Sequence, residues 1–193
     1  MSYFFPYWGP LVFKTRIAEP DRRRISRFIK KKYHIQSAKD KLAGVIDEEF
    51  KISQVDLMKD LTPYFDLYRQ AHYQYYQEDN QWIDKIQCVT AWINIMKAGE
   101  YNPTHFHHDC RLSSVLYLKV PKELKKENAD YVGRSVGPGG ITFLYGEPRG
   151  YSITQYSLFP QEGDLLIFPA NVRHEVTPFK SKGKRISIAA NFE

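Results

Sequence analysis

Cysteine is scarce in this chain: Cys88 and Cys110 are the only two among 193 residues. Two thiols build neither a disulfide framework nor a sulfur-rich zinc cluster, so each is expected as a free, buried thiol in a reducing compartment. Long apolar runs are missing too. No stretch approaches the roughly 20 residues needed to span a bilayer. The start, MSYFFPYWGPLVFK, has aromatics and prolines where a secretory signal would place a basic segment and a plain apolar one. A soluble, cytoplasmic protein with no membrane partner is the expectation. Internal repeats and low-complexity tracts are also absent.

With 42% hydrophobic and 15% aromatic residues, the 193-residue chain can bury one substantial core, which predicts a single domain over residues 1–193. Its +6 charge is local. Residues 1–40 hold ten Lys/Arg against three Asp/Glu, a balance of +7, so the remaining 153 residues sum to −1. The centre of this basicity, EPDRRRISRFIKKKY, suits a helix opening near Pro20 and Asp21, with Ile25, Phe28 and Ile29 as a narrow apolar stripe. Such a run is ordinarily a solvated face. Read instead as a binding surface, Arg22, Arg23, Arg24, Lys30, Lys31 and Lys32 predict weak, nonspecific, salt-sensitive contact with nucleic acid over residues 22–32.

In DLTPYFDLYRQAHYQYYQ, the residues Leu57, Leu61, Tyr64, Tyr68, Ala71 and Tyr75 recur at steps of four and three. This is the period of a long amphipathic helix, with Thr62 placed to cap it and Pro63 as its first residue. Its tyrosines read as packing. From residue 86 the period shortens to that of strands: IQCVTAWINIM, LSSVLYLKV, GGITFLY, YSITQYSL, GDLLIFPA, HEVTPF and RISIAANF, split by GPGG, GEPRG and PQEGD. Residues 1–85 are therefore expected to be a basic, helical support. Residues 86–193 are expected to be an antiparallel sandwich or jelly roll, mainly β with the N-terminal helices packed on one outer face. KELKKENADYVGRSV reads as a loop.

NPTHFHHDC, residues 102–110, lies between two of these strands, at the rim of the sandwich. In an extended chain alternate side chains share a face, so His105, His107 and Asp109 would point one way and Phe106, His108 and Cys110 the other. Two imidazoles at i and i+2 can reach one metal ion without rearranging the backbone. A third ligand is available at His174, just after GDLLIFPA. Eleven residues later stands Arg185, then Ser187, on the last strand. An Arg can pair in bidentate fashion with a remote carboxylate, and a Ser can add a hydrogen bond, which suits a dicarboxylate whose other end chelates the metal. His34, His72 and His108 read as ordinary residues.

AWIN (91–94), NPTHFH (102–107), SSVLYLKVP (113–121), GPGGITF (137–143), GDLLIFPANVRH (163–174) and RISIAAN (185–191) follow one another in this order. In this the chain resembles the iron(II) and 2-oxoglutarate-dependent oxygenases, more narrowly the small ones of bacteria and tailed phages, over roughly residues 88–193. The resemblance implies a double-stranded β-helix core, cupin-like in outline, with iron(II) and 2-oxoglutarate as cofactors and O2 as partner. It also implies hydroxylation of a substrate with release of succinate and CO2, in a bacterial or phage-infected cytosol. Carried over by position, Arg185 and Ser187 bind the remote carboxylate, with Tyr117 and Asn94 as further contacts. His105, His107 and His174 align with the metal ligands. The pattern commonest in the wider superfamily is His-x-Asp, and His107-His108-Asp109 satisfies it literally, so Asp109 is the alternative ligand, or else an acceptor for an imidazole N–H. Asn191 and Arg149 are candidate substrate contacts, the first equally suited to sheet-edge hydrogen bonding and the second to a solvated turn. The substrate, a protein side chain such as proline or a small molecule, is not encoded in any motif.

Two other classes remain open on the residues alone. A cupin-like metal protein without 2-oxoglutarate leaves Arg185 and Ser187 unexplained. An adaptor working through its basic arm leaves the histidines unexplained.

Overall fold

The computed structural model describes residues 9–77 and 81–193, without the side chains of Gln81 and Trp82. Its strands are β1 (Phe13–Arg16), β2 (Glu49–Lys51), β3 (Cys88–Met96), β4 (Asn102–His105), β5 (Leu112–Lys119), β6 (Ile141–Leu144), β7 (Gln155–Leu158), β8 (Asp164–Pro169), β9 (Arg173–Val176) and β10 (Arg185–Phe192). The helices are α1 (Glu19–Ile25), α2 (Gln54–Tyr76) and α3 (Lys122–Ala129). Six strands form a major sheet in the order β1-β8-β5-β10-β3-β2, and four form a minor sheet, β4-β9-β6-β7. All pairings are antiparallel. Two sheets of this kind with helices on one outer side make the expected jelly roll.

The major sheet is covered on both faces. Ile93, Ile95, Ile186 and Ile188 face outward and join one apolar cluster with Leu57, Leu61 and Phe65 of α2. Met96, Tyr117 and Phe168 face inward and pack against Phe143 and Val176 of the minor sheet. Burial of a Leu, Ile or Phe side chain contributes about 1.5–3 kcal/mol, so α2 is held chiefly by that outer face. Sites can then be built on the inner face of a sheet that is rigidified from behind.

Each of the seven expected strands is present, with YSITQYSL shortened to Gln155–Leu158. Three more were missed. β1 and β2 are edge strands of four and three residues, too short to display a period, and they insert the N-terminal segment into the major sheet. The expected division at residue 85 therefore runs through one continuous sheet. β4 carries the NPTH stretch that read as a rim loop.

The long helix begins at Gln54 rather than Pro63. Ser53 caps it, its Oγ accepting from Asp56 N at 3.2 Å, and Pro63 sits inside. Thr62 does not cap; its hydroxyl donates to Met58 O at 2.8 Å. KELKKENA forms α3, anchored by a single buried apolar residue, Leu124, which is why its sequence reads as solvated loop.

Charge in the basic segment is largely neutralised from within. Glu19 pairs with Arg22 and Arg23, Asp21 with Arg24, and the buried Asp60 with both Arg24 and Arg27. Among the described residues, only Lys30, Lys31 and Lys32 of the run lack an ion pair, a much smaller basic patch than the sequence advertises. No helix among the described residues is long and apolar enough to cross a membrane. Both cysteines are free and half-buried, and burial pushes the Cys88 thiol up to about 12.

Candidate metal and anion site

His105 and His174 are register partners across β4 and β9, and their ring centroids are 4.3 Å apart. His107 follows the end of β4, its backbone N–H donating to Ala170 O at 2.9 Å, and its ring lies 5.2–5.3 Å from the other two. One nitrogen from each of the three rings lies within 4.8 Å of the others. Phe106 and His108, of opposite parity, are exposed at the rim of the cavity.

The rings are oriented by what they touch. His105 Nδ1 is 2.7 Å from Pro103 O and His174 Nδ1 is 3.0 Å from Val172 O. A carbonyl can only accept, so each Nδ1 carries the proton and each Nε2 keeps its lone pair. His107 Nδ1 is 3.4 Å from Asn191 Nδ2, and Asn191 Oδ1 accepts from Ser113 Oγ at 2.6 Å. Turning that amide end for end presents its oxygen to a protonated Nδ1 and its NH2 to Ser113, whose hydroxyl can donate or accept. All three Nε2 lone pairs are then free together. Burial lowers all three imidazole pKa values, and the neighbouring rings reinforce the shift at two of them: His107 falls to about 4 and His174 to about 3. The donors are neutral at pH 7 and need shed no proton to bind a cation.

These rings share a cavity of about 270 Å³ with Arg185, Ser187, Tyr117 and Asn94. On the inner face of the major sheet, Glu49, Asn94, Ser187 and Tyr117 stand side by side in one row across β2, β3, β10 and β5. Arg185, two residues from Ser187, is 2% exposed. Its Nη1 donates to Gly139 O at 2.8 Å, and its guanidinium lies 5.3 Å from the centre of the Tyr117 ring. Gly137 and Gly139 both have positive φ, 80° and 72°. The GPGG turn thus brings a backbone carbonyl to the guanidinium by a path that other residues take only with strain.

No carboxylate among the described residues pairs with Arg185, and burial drives its pKa down. Arg185 Nε, Tyr117 Oη and Asn94 Oδ1 are all buried without a hydrogen-bond partner. Burial also pushes the Tyr117 phenol up to about 12. A buried cation with no counter-ion, ringed by unpartnered polar atoms, is costly unless an anion completes it.

Other expected residues fall elsewhere. Asp109 has φ 56°, so the chain leaves its extended path after His108 and the alternation stops; Asp109 is exposed. Among the described residues no imidazole N–H reaches it. Asn191 faces Ser113 and His107 rather than open cavity. Arg149 is a solvated turn residue, its side chain 81% exposed and paired with Glu147 at 2.8 Å. His34 stacks on Phe50, and His72 is buried under α2's tyrosines.

Two polar residues of the cavity were given no role by the sequence: Glu49, from an EEFK run that looks like a charged turn, and Asn102, which opens the histidine motif. Glu49 is 1% exposed and its Oε2 has no partner. Burial, reinforced by Glu100, pushes its carboxyl up from 4.5 to about 7. The folded state therefore binds the proton more tightly than the unfolded chain, and stability contributed at low pH is lost as pH rises from about 4.5 through 7. Glu49→Gln is expected to remove that loss, gaining about 2–3 kcal/mol over wild type between pH 4.5 and 8 in urea unfolding of the metal-free protein. A pH-independent difference would show that the carboxyl is already paired.

A larger groove of about 690 Å³, bordered by Tyr145, Tyr151, Ile153 and Tyr156, contains none of the imidazoles.

A family model described as "Putative 2OG-Fe(II) oxygenase" matches residues 90–191. That span runs from β3 through the three histidines, Arg185 and Ser187 to Asn191. No curated protein matches the chain. Among solved structures, a Pseudomonas putida prolyl-4-hydroxylase is similar over 94% of this chain and 91% of its own, at 15% identity and TM-score 0.55. The viral collagen prolyl hydroxylase of Paramecium Bursaria Chlorella virus-1, solved as a 2-oxoglutarate complex, is similar over 94% of each chain at 12% identity and TM-score 0.56. HygX from Streptomyces hygroscopicus, with nickel, 2-oxoglutarate and hygromycin B bound, covers 95% of this chain and 82% of its own at 10% identity and TM-score 0.51. At these identities the likeness to solved structures is one of fold.

Proposed function

The chain belongs to the 2OG-Fe(II) oxygenases, and from that premise we propose that His105, His107 and His174 hold its iron(II) while Arg185, Ser187, Tyr117 and Asn94 hold its 2-oxoglutarate. The donor set suits the metal: three neutral imidazoles, two with Nδ1 fixed by backbone carbonyls, present nitrogen lone pairs to one point. The other half suits the dianion. Bound together, iron(II) and 2-oxoglutarate supply the oxidation chemistry, in which O2 is consumed, the oxo acid leaves as succinate and CO2, and a substrate C–H bond becomes C–OH.

The chain's own work is binding, orientation and exclusion of water. Arg185 supplies charge and a planar donor edge to the remote carboxylate, with Gly139 O holding the guanidinium in its plane. Ser187 and Tyr117 add hydroxyl donors from adjacent strands, and Asn94 an amide. Val115, Phe168 and Trp92 wall the cavity, lowering its dielectric and strengthening each of these contacts. The observation that carries this reading is Arg185: wholly buried, without a counter-ion, in the same small cavity as three convergent imidazoles. A metal-binding protein without an oxo acid has no use for such a group.

Calorimetric titration of the iron-loaded protein, with oxygen excluded, is expected to show one 2-oxoglutarate site per chain. Exposure to oxygen is then expected to yield slow succinate formation even without a primary substrate. Absence of both binding and succinate would sink the assignment.

A further inference from the structure

The cavity has two chemically different ends. Arg185, Ser187 and Tyr117 offer hydrogen-bond donors, as an anion requires. The other end offers acceptors. Glu49 Oε2 and Asn94 Oδ1 are buried without partners, side by side across β2 and β3. Glu49 Oε1 and Asn102 Oδ1 both lie against Gly44, where a side-chain carbon would meet them at 3.0 and 2.6 Å. Gly44 belongs to a strap that bridges the open edge between the sheets through Val45 N, which donates to Tyr101 O at 2.9 Å. A carboxyl and two amide oxygens are thus gathered at the closed edge of the cavity.

Among the described residues no cation pairs with them, although the charge of Lys39 is felt at Glu49. Lys39 is held by Asp47 at 2.6 Å, and Lys41, which lines the cavity, makes no ion pair among the described residues. Glu100, engaged by Lys97 N and Asp47 N, adds negative charge nearby. At about 270 Å³ the whole cavity is smaller than the roughly 300–1,000 Å³ usual for ligand sites. With an oxo acid in the donor end, there is room for one protruding side chain rather than an entire second ligand.

We propose that Glu49 is a substrate-recognition residue, whose carboxylate receives the ammonium or guanidinium end of a lysyl- or arginyl-like side chain delivered beside the metal. This rests on the oxygenase reading of the same cavity. Asn94 and Asn102 oxygens accept the remaining N–H bonds, while the Asn94 NH2 stays available to the oxo acid. The arriving charge also ionises a carboxyl that burial otherwise holds near neutrality, and this coupling favours a cation over an isosteric apolar chain.

The test is calorimetry on the full-length, iron(II)- and 2-oxoglutarate-saturated protein with oxygen excluded. The probes are Nα-acetyl-lysine methylamide, Nα-acetyl-arginine methylamide and the neutral Nα-acetyl-norleucine methylamide. At least one cationic probe is expected to bind about tenfold or more tightly than the norleucine probe, as hydrogen bonds to a charged partner imply. Glu49→Gln is expected to erase that preference while 2-oxoglutarate affinity stays within about threefold. Glu49→Asp, which keeps the charge, retains part of the preference and decides the matter if the Gln variant does not fold. The inference is overturned by a wild type that does not prefer the cation, by a preference that survives in Glu49→Gln, or by loss of 2-oxoglutarate binding in that variant. Failure of the oxygenase reading is read separately, from the 2-oxoglutarate titration of wild type, while the probes can still be titrated against metal-free protein.

Discussion

Replacing Arg185 with alanine is expected to weaken 2-oxoglutarate binding by about 2–4 kcal/mol, roughly 30- to 1,000-fold, while leaving metal affinity within about twofold. The size follows from what is lost: a charged, planar donor to a carboxylate in a cavity from which water is excluded. The apo protein should respond in the opposite sense. Arg185 is 2% exposed, its visible partner is a single carbonyl at 2.8 Å, and its Nε has none. Removing an uncompensated buried charge relieves a desolvation penalty, so the melting temperature of the metal-free variant should hold or rise. A structural arginine behaves otherwise, since its loss lowers the melting temperature and spares the ligand. Arg185→Lys should recover only part of the affinity, because an ammonium is a point charge that cannot present two parallel N–H groups. Normal 2-oxoglutarate binding by Arg185→Ala would mean that the anion sits elsewhere.

Much of this site could be read in the residues because its logic is local. His105 and His107 share a face by the period of an extended chain, and Arg185 and Ser187 share one on β10 for the same reason. RISIAANF is recognisable as a strand from end to end because both faces of the major sheet are buried, with Ile186, Ile188, Ala190 and Phe192 alternating with the inward-facing Arg185, Ser187 and Asn191. What stayed hidden depends on partners far along the chain. Glu49 matters only because β2 places it beside Asn94, 45 positions away, and a three-residue edge strand has too few positions to show a period. Asn191 turns toward His107 because β10 lies next to β5, where Ser113 takes the other end of its amide. The start of α2 is not marked by Pro63, because a proline suits a first helical turn and also survives inside a helix that tertiary packing holds. The ion pairing inside the basic arm is hidden because Asp60, the acid that gathers Arg24 and Arg27, is more than thirty residues away.

The choice between His-x-His and His-x-Asp turns on the β4–β9 register and on the backbone at Asp109, and it predicts a steep ranking of variants. Under the proposed assignment, His105→Ala should leave the purified protein without stoichiometric iron, and Asp109→Ala should retain it with affinity changed by no more than about twofold. His105 stands directly opposite His174 in the β4–β9 register, with ring centroids 4.3 Å apart and Nδ1 tied to Pro103 O, so its Nε2 already faces the shared point. Asp109 lies past the end of the extended segment, exposed, at φ 56°. Asp tolerates the left-handed region well, so the turn carries little strain that metal binding could relieve. To ligate, its carboxylate would have to enter from solvent while the backbone at 108–109 rebuilt itself. Asn191→Ala belongs between the two. It removes the partner of His107 Nδ1, and the loss of such an orienting contact typically weakens metal binding about 10- to 100-fold. Anaerobic titration with iron(II), read as metal content and as competition against a chelator, separates the three. The order His105, then Asn191, then Asp109 supports three imidazole ligands. Iron lost from Asp109→Ala but kept by His105→Ala would instead mean that the loop closes over the ion and that His105 lines the cavity without binding.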